Sequence, residues 1–192
     1  MAKKIVAWMI YHQVIDKEDE ELYCYGIFNL IFDIVPTVMI LVISLLLHIF
    51  FEAVIIMVSM RAIRKYSGGY HMRNPYCCCL SSILMLIGAS LLCKVIEDAN
   101  FGMNAIIFLG FLCLIPLYLL SPIKSCYSNL DYEEIIKYRR KTRQIIFLHA
   151  IIILLCYFFE VKQIAIGLSI GLIIAGGLLI IQCMINMKCS ER

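Results

Sequence analysis

Apolar and polar residues fall into long alternating blocks along the chain, and the apolar blocks are long enough to cross a bilayer. Residues 26–47 form one such block of 22 residues, which as a helix would be about 33 Å long at ~1.5 Å per residue. Four more long apolar blocks and one shorter one follow it. They cover residues 53–60 (the short block), 75–93, 105–120, 144–159 and 164–187.

This pattern predicts an all-α fold, a polytopic integral-membrane helical bundle of about six membrane segments. We expect a single membrane domain over residues 1–192, with the membrane segments lying within residues 26–187. The second segment is short and leads into Arg61, Arg64 and Lys65. It either crosses the membrane with its charged ends snorkelling to the interface or forms part of a re-entrant hairpin, and the sequence leaves both open.

Residues 1–25 predict an amphipathic helix that lies in the membrane interface. Lys3 and Lys4 precede apolar residues at roughly helical spacing, and the acidic run 16–21 follows. Trp8 and Tyr11 suit the headgroup level. We favour a membrane anchor here, and the alternative is a docking surface for a peptide that also lies on the membrane.

Composition supports a membrane protein and excludes an average soluble domain. The chain is 62% hydrophobic with a mean hydropathy of +0.90, well above typical soluble domains. No small-residue cleavage site follows a short apolar run near Met1, so we expect no removable signal peptide. The ten cysteines lie mostly in or beside apolar blocks, where free cysteine behaves as a small hydrophobe, which argues against a disulfide framework.

The distribution of Lys and Arg predicts the orientation. With six crossings and the N-terminus inside, every one of the 17 Lys and Arg residues except Lys94 and Lys162 lies on the inner side, as the positive-inside rule requires. We therefore expect a multi-pass protein of the cell membrane with both termini in the cytoplasm. A net charge of +3 gives no sign of nucleic-acid binding.

The stretch 61–82 is unusually polar for so apolar a chain, and it carries the candidate chemistry. Asn74 followed by Pro75 is typical of a helix start, with Asn74 as the N-cap. Cys77 and Cys78 would then lie in the first turn. There the unpaired N–H groups and the partial positive charge of the helix favour a thiolate, the reactive form of cysteine.

His71 follows the pair Gly68–Gly69, which lets the backbone turn sharply and approach a bound chain closely. A cysteine and a histidine within hydrogen-bond reach suffice for covalent acyl transfer, because the imidazole takes the thiol proton and later protonates the leaving amine. The sequence by itself does not fix the distance between His71 and Cys78. We predict that this stretch faces the cytoplasm.

The spacing Arg64-x4-Gly69-x-His71-x6-Cys78 resembles that of the accessory gene regulator protein B (AgrB) family, membrane cysteine endopeptidases that process a quorum-sensing peptide precursor. The resemblance implies that His71 and Cys78 are the catalytic pair and that Arg64 and Gly69 support them. It also implies a substrate: a short AgrD-like precursor with an amphipathic N-terminal helix and an acidic C-terminal tail. Cleavage would pass through a Cys78 thioester and end in a cyclic thiolactone or lactone, with no cofactor and within a homodimer.

Other charged residues have two interpretations each. Arg61, Arg64, Lys65 and Arg73 are well placed to hold an acidic tail, as is the basic region 121–143, but they also suit topology signals or contacts to anionic lipids. Asp33 lies inside the first membrane segment, where an ionisable group is costly. It would orient the His71 imidazole or, equally well, sit hydrated near the interface.

Several alternatives to these assignments stay open. Cys77 and Cys79 flank the candidate nucleophile and are either packing residues or partial substitutes for it. A zinc site from His71 and these cysteines is disfavoured, because three consecutive cysteines do not readily converge on one ion. A small transporter and a non-enzymatic assembly protein are the other functions considered. The glycines of the last segment (Gly167, Gly171, Gly176 and Gly177) predict helix packing within the chain or between subunits.

Overall fold

Seven α-helices make up the protein in the computed structural model, which describes residues 2–70, 72, 74–99, 102–123 and 132–190. Within these ranges there is no β-strand, and a single turn of 3-10 helix at Lys17–Asp19 precedes the second helix. The helices are α1 (Ala2–Tyr11), α2 (Glu20–Leu46), α3 (Phe50–Ser67), α4 (Pro75–Ala99), α5 (Met103–Leu120), α6 (Tyr132–Phe158) and α7 (Lys162–Ser190). The predicted all-α fold is confirmed.

Five of these helices are long and apolar enough to cross a membrane, so the chain is a multi-pass membrane protein. The five candidate spans within the described residues are Lys17–Leu46, Pro75–Ala99, Met103–Leu120, Tyr132–Phe158 and Lys162–Lys188. Helix α3 is less apolar because it carries Glu52 and three basic residues. It is nevertheless unbroken over 18 residues, about 27 Å at ~1.5 Å per residue, and no turn folds it into a hairpin. We infer that it supplies a sixth membrane segment.

Helix α3 runs parallel to α7, and small residues set their separation. A Cβ added to Gly167 would lie 2.8 Å from Ile55, and one added to Gly171 would lie 2.4 Å from the Oγ of Ser59. The contacts advance in the same direction along both helices. Since the backbones approach this closely, only glycine fits at these two positions of α7.

Helix α5 packs on α7 in the same parallel sense. A Cβ on Gly110 would meet Ser169 at 3.0 Å, and one on Gly176 would meet Cys113 at 3.1 Å. Three of the four glycines predicted to form packing faces on the last segment therefore contact helices of the same chain. A Cβ added to the fourth, Gly177, would meet nothing within 4 Å.

Helices α2 and α4 run beside each other and opposite to α3. Near the end of α4, Lys94 lies 3.7 Å from Glu52 at the start of α3. Near the start of α4, Tyr76 makes an edge contact with Phe32 of α2, with ring centroids 5.3 Å apart. Helices α2 and α4 therefore run in one direction, and α3, α5 and α7 run in the other. A chain that crosses a bilayer repeatedly requires this alternation.

Helices α3 and α7 lie at the centre, between two apolar clusters. One cluster joins them to α2 and α4, and includes Ile40, Ile56 and Leu86. The other joins them to α5 and α6, and includes Leu117 and Ile153. Met103 and Ile106 at the start of α5 also pack against the first cluster, so the α2–α4 side and the α5–α6 side meet at that end of the bundle and are separate further along α5.

The predicted 25-residue amphipathic helix is wrong in its length. Helix α1 ends at Tyr11, where His12, Gln13 and Val14 donate their N–H groups back to carbonyls of its last turn and Gln13 adopts a φ of 54°. The acidic residues instead begin α2, which carries Glu20 and Glu21 in its first turn, where the helix dipole favours negative charge. Val6 is fully buried, while Trp8 stays exposed, so α1 has one packed and one open face.

The predicted polar breaks are also shorter than expected. Helix α4 continues through Lys94 and Asp98, which lie 3.9 Å apart one turn from each other, and ends at Ala99. Residues 132–143, expected as part of a basic loop, form the first turns of α6. Charged residues with strong helix propensity extend a helix beyond the apolar core, so hydropathy alone misplaces these ends.

Candidate active site

The start of α4 is capped as predicted. The N–H of Tyr76 donates to the Asn74 side-chain oxygen over 2.9 Å, and the N–H of Cys78 donates to the Asn74 carbonyl over 3.0 Å. Helix α4 begins at Pro75, so Cys77 and Cys78 do lie in its first turn. The predicted position of Cys78 at a helix origin is confirmed.

Cys78 lines a cavity of about 470 Å³ between α2, α3 and α4. The adjacent Cys79 also lines it and packs partly against the neighbouring apolar cluster, whereas Cys77 is exposed outside it. The polar lining is concentrated on α2 and α3 and comprises Asn29, Asp33, Thr37, Arg61, Arg64 and Lys65, together with Ser82 of α4. Four of the predicted site residues (Asp33, Arg64, Lys65 and Cys78) therefore surround one cavity.

Arg64 links α3 to the chain that follows it. Its guanidinium donates a hydrogen bond from Nη2 to the carbonyl oxygen of Tyr70 over 3.0 Å, and its charge interacts with Cys78. A Cβ on Gly69 would lie 3.3 Å from Nε of Arg64, and Gly69 has a φ of 151°. Arg64 and Gly69 thus belong to one local arrangement, in which the bare glycine backbone makes room for the guanidinium.

Asp33 pairs with Arg61 across the mouth of the cavity. Nη2 of Arg61 lies 3.0 Å from a carboxylate oxygen of Asp33 and also donates to the Thr37 hydroxyl. Thr37 in turn donates to the Asp33 carbonyl oxygen one turn back along α2. Asp33 therefore has a basic partner on α3, which the sequence did not indicate because the two residues are far apart along the chain.

Backbone contacts hold the loop after α3 against other helices. The N–H of Tyr70 donates to the carbonyl oxygen of Leu178 in α7 over 3.2 Å, and the N–H of Ile123 donates to the Ser67 carbonyl over 3.1 Å. Gly68 has a φ of 76°, and a Cβ there would lie 2.8 Å from the Ile123 carbonyl oxygen. The loop is thus fixed by α7 and by the segment after α5. These backbone interactions leave no signal in the sequence beyond the Gly68–Gly69 pair.

His71 and Arg73 lie outside the described residues, so their predicted roles stay predictions. Between them, Met72 lines the cavity. The zinc alternative depends on His71 as well. Among the residues that the structure does describe, no three His, Cys, Asp or Glu side chains come together as metal ligands.

A second polar group lies at the opposite end of α3. Glu52 is almost fully buried, accepts a hydrogen bond from Gln163 of α7 over 3.1 Å and pairs with the half-exposed Lys94. A buried carboxylate requires such partners. This group joins α3, α4 and α7 where they begin or end, far from Cys78, and we assign it a structural role.

Comparison with known proteins gives a family. Residues 2–185 match the family described as Accessory gene regulator B. A curated relative in Clostridium perfringens strain 13, named "Putative AgrB-like protein 2", is 29% identical over 100 residues, which are 52% of this chain and 47% of the relative. A protein of C. perfringens strain SM101, named "Putative AgrB-like protein", is 30% identical over 100 residues, which are again 52% of this chain and 47% of the relative. The chain spans about half the length of these relatives, and no solved structure matches it significantly.

Proposed function

The chain belongs to the accessory gene regulator B family, and on that premise we propose that it is a membrane-embedded cysteine endopeptidase of quorum sensing. Its substrate would be a short precursor peptide with an amphipathic N-terminal helix and an acidic C-terminal tail. Cys78 would act as the nucleophile and His71 as the general acid and base. The product would be the signal peptide in cyclic form.

The observation that carries this proposal is the position of Cys78. Its sulfur belongs to the first turn of a capped helix, and the residue lines a cavity of about 470 Å³. A helix N-terminus with a basic residue nearby is the environment in which reactive cysteines are found, and Arg64 lines the same cavity as Cys78. Cys77 is exposed outside the cavity, so the geometry favours Cys78 over its preceding neighbour.

The proposed reaction proceeds in two acyl transfers. His71 takes the Cys78 proton, the thiolate attacks the carbonyl carbon before the acidic tail, and His71 returns the proton to the leaving amine, so that the tail departs and a thioester remains. A cysteine or serine within the bound peptide then attacks the thioester. The ring closes as a thiolactone or lactone, and Cys78 regains its proton. An oriented internal nucleophile has a high effective concentration, which favours ring closure over hydrolysis.

The basic residues around the cavity support an acidic substrate. Arg61 and Lys65 are exposed on α3 and line the cavity, while Lys141 of α6 lies over the ring of Tyr66, 5.0 Å from its centroid. The basic turns of α6 are therefore at the same end of the bundle as Cys78. We infer from the positive-inside rule that this end faces the cytoplasm, in the cell membrane, where a peptide lying on the inner leaflet reaches it. The family resemblance supports a homodimer.

Mass measurement on the protein in lipid vesicles tests the proposal. A precursor of the proposed type, with an amphipathic N-terminal helix, an internal cysteine or serine and an acidic C-terminal tail, is added. We expect a covalent adduct that adds to Cys78 the mass of the linear tail-less fragment less one water, followed by a free cyclic product of that same mass. Cys78→Ala should abolish both, and Cys77→Ala is the matched control that should retain them. Cys79→Ala should reduce the rate at most modestly, because Cys79 is partly packed against the core. Full activity of Cys78→Ala would overturn the assignment.

A further inference from the structure

A second cavity lies on the other side of the bundle, between α5 and α6. It has a volume of about 870 Å³ and is lined by one face of each helix. Leu114, Ile115, Tyr118 and Leu119 recur at helical spacing on α5. We call this cavity the α5–α6 groove. It shares no lining residue with the cavity at Cys78.

Three arginines of α6 lie along this groove. Arg139, Arg140 and Arg143 line it and are exposed, and within the described part of the chain no salt bridge joins any of them to a carboxylate. The guanidinium of Arg143 lies over the ring of Tyr118, 4.2 Å from its centroid. Three guanidinium groups that no described carboxylate neutralises thus lie beside the apolar α5–α6 groove. This arrangement favours the binding of an anionic partner.

Apart from Gln144 next to the arginines, the rest of the groove is apolar, and it is open to the outside of the bundle. Along α6 it continues from the arginines to Phe147 and Ala150. Leu119 and Phe147 are each 68% exposed. On a helix within a bilayer, such exposed apolar surface contacts acyl chains.

We propose that the α5–α6 groove binds an anionic phospholipid, with the phosphate on Arg139, Arg140 and Arg143 and an acyl chain along Leu114 and Phe147. A guanidinium matches a phosphate group in a bidentate fork, and basic pockets between membrane helices bind acidic headgroups in this way. The charged end of the groove lies toward the start of α6, outside its apolar segment. The apolar end lies further along α6, within its membrane-spanning part. The phosphate of one lipid molecule therefore matches the charged end of the groove, and its acyl chain matches the apolar end.

Position favours a lipid over the acidic tail of a peptide substrate. The groove belongs to the α5–α6 side of the bundle, and Cys78 belongs to the α2–α4 side, with α3 and α7 between them. A peptide whose scissile bond lies at Cys78 would have to pass over the ends of these two central helices to place its tail in the groove. This lipid site does not depend on the catalytic proposal.

Native mass spectrometry of the detergent-purified full chain tests the site. Phosphatidylglycerol is titrated against phosphatidylcholine of the same acyl chains, and we expect the anionic lipid to bind at one saturable site. Each of Arg139→Gln, Arg140→Gln and Arg143→Gln should weaken its binding by roughly fivefold, as expected for a basic residue at a lipid headgroup. Lys137→Gln is the matched control, since Lys137 is exposed on the same helix but does not line the groove, and it should leave binding unchanged.

Two further measurements separate the lipid from other ligands. Ala150→Trp should block the apolar end of the groove and weaken lipid binding, whereas Leu148→Trp, on an exposed position outside the groove, should not. Glycerol phosphate or a soluble peptide of acidic residues should not displace the lipid at equal concentration. Equal binding of the two lipids, insensitivity to all three arginine substitutions, or displacement by the acidic peptide would each overturn the proposal.

Discussion

The Nε atom of Arg64 lies 3.3 Å from the point at which a side chain on Gly69 would begin. The same guanidinium donates to the Tyr70 carbonyl, so Arg64 fixes the conformation of the loop through two consecutive residues. The spacing of Arg64 and Gly69 in the sequence reflects this contact. The end of α3, its arginine and the glycine that follows are parts of one structural unit.

Gly69→Ala should therefore impair peptide cleavage without removing the protein from the membrane. The added methyl group meets Arg64, and a φ of 151° is unfavourable for an L side chain, at a cost of about 1–3 kcal/mol. We expect at least a roughly tenfold slower formation of the cleaved peptide, measured by mass spectrometry at equal protein levels. Gly88→Ala on α4 is the control, because a Cβ there meets nothing within 4 Å, and it should cleave normally. Equal rates in both variants would contradict the proposed role of Gly69.

Reversing the charge of Arg64 should abolish cleavage, whereas reversing that of Lys137 should weaken it at most. Arg64→Glu loses the bond to Tyr70 and places a negative charge beside Cys78. A hydrogen bond from a charged donor contributes about 1.5–3 kcal/mol, so Arg64→Lys, which keeps the charge but not the planar fork, should slow cleavage by roughly tenfold or more. Rates are measured in vesicles of fixed lipid composition. Wild-type activity in Arg64→Glu would show that Arg64 supports neither the loop nor the thiolate.

The pairing of Asp33 with Arg61 predicts that their substitutions are not additive. If Asp33 acts by holding Arg61 at the cavity, Asp33→Asn and Arg61→Gln should slow cleavage to a similar extent, and the double variant should be no slower than either one. We expect effects below roughly tenfold, because an exposed ion pair typically contributes only about 0.2–1 kcal/mol.

A different result would support the other role considered for Asp33. If Asp33 orients the imidazole of His71, Asp33→Asn should be much slower than Arg61→Gln. The two substitutions would then add in the double variant. Unchanged cleavage in Asp33→Asn would exclude both roles.

Gly171→Ala should strongly destabilise the bundle, because its new methyl group would stand 2.4 Å from the Ser59 hydroxyl oxygen and 2.7 Å from the Ser59 Cβ. Helices α3 and α7 would have to separate, and overpacking of this kind costs about 1–3 kcal/mol. Thermal unfolding in detergent should show a clear fall in the midpoint. Gly177→Ala, where the space is open, should leave it unchanged.

The same clash can be relieved from the other helix. Ser59→Gly removes both contacting atoms, so the double variant Gly171→Ala with Ser59→Gly should recover much of the lost stability. Failure of this rescue would place the effect of Gly171 somewhere other than the α3–α7 interface.

The membrane segments and the cap of α4 could be predicted from the sequence because both depend on local patterns. A run of apolar residues is sufficient for a membrane helix, and an Asn–Pro pair is sufficient for a helix start. The length of α3 could not be predicted from its hydropathy, because Arg61, Arg64 and Lys65 extend a helix that they make less apolar. The continuation of α6 from its basic first turns into the apolar membrane segment was missed for the same reason.

The long-range parts of the site had no signal in a single sequence. Asp33 was identified as an ionisable residue in an apolar segment, but its partner lies on another helix and depends on how α2 and α3 pack. The bond from Tyr70 to Leu178 joins two backbones, so neither side chain identifies it. The glycines of α7 indicated close packing, and only the fold shows that α3 and α5 are their partners.

The bond between Tyr70 and Leu178 also bears on the order of synthesis. Translation proceeds from the N-terminus, so the ribosome must add more than a hundred further residues after Tyr70 before its acceptor exists. A nascent chain that has inserted only its first helices lacks the anchor for this loop. Catalytic competence would therefore arise late, once the final helix has entered the bilayer. Before that, an incomplete polypeptide would carry Cys78 without the anchored loop beside it.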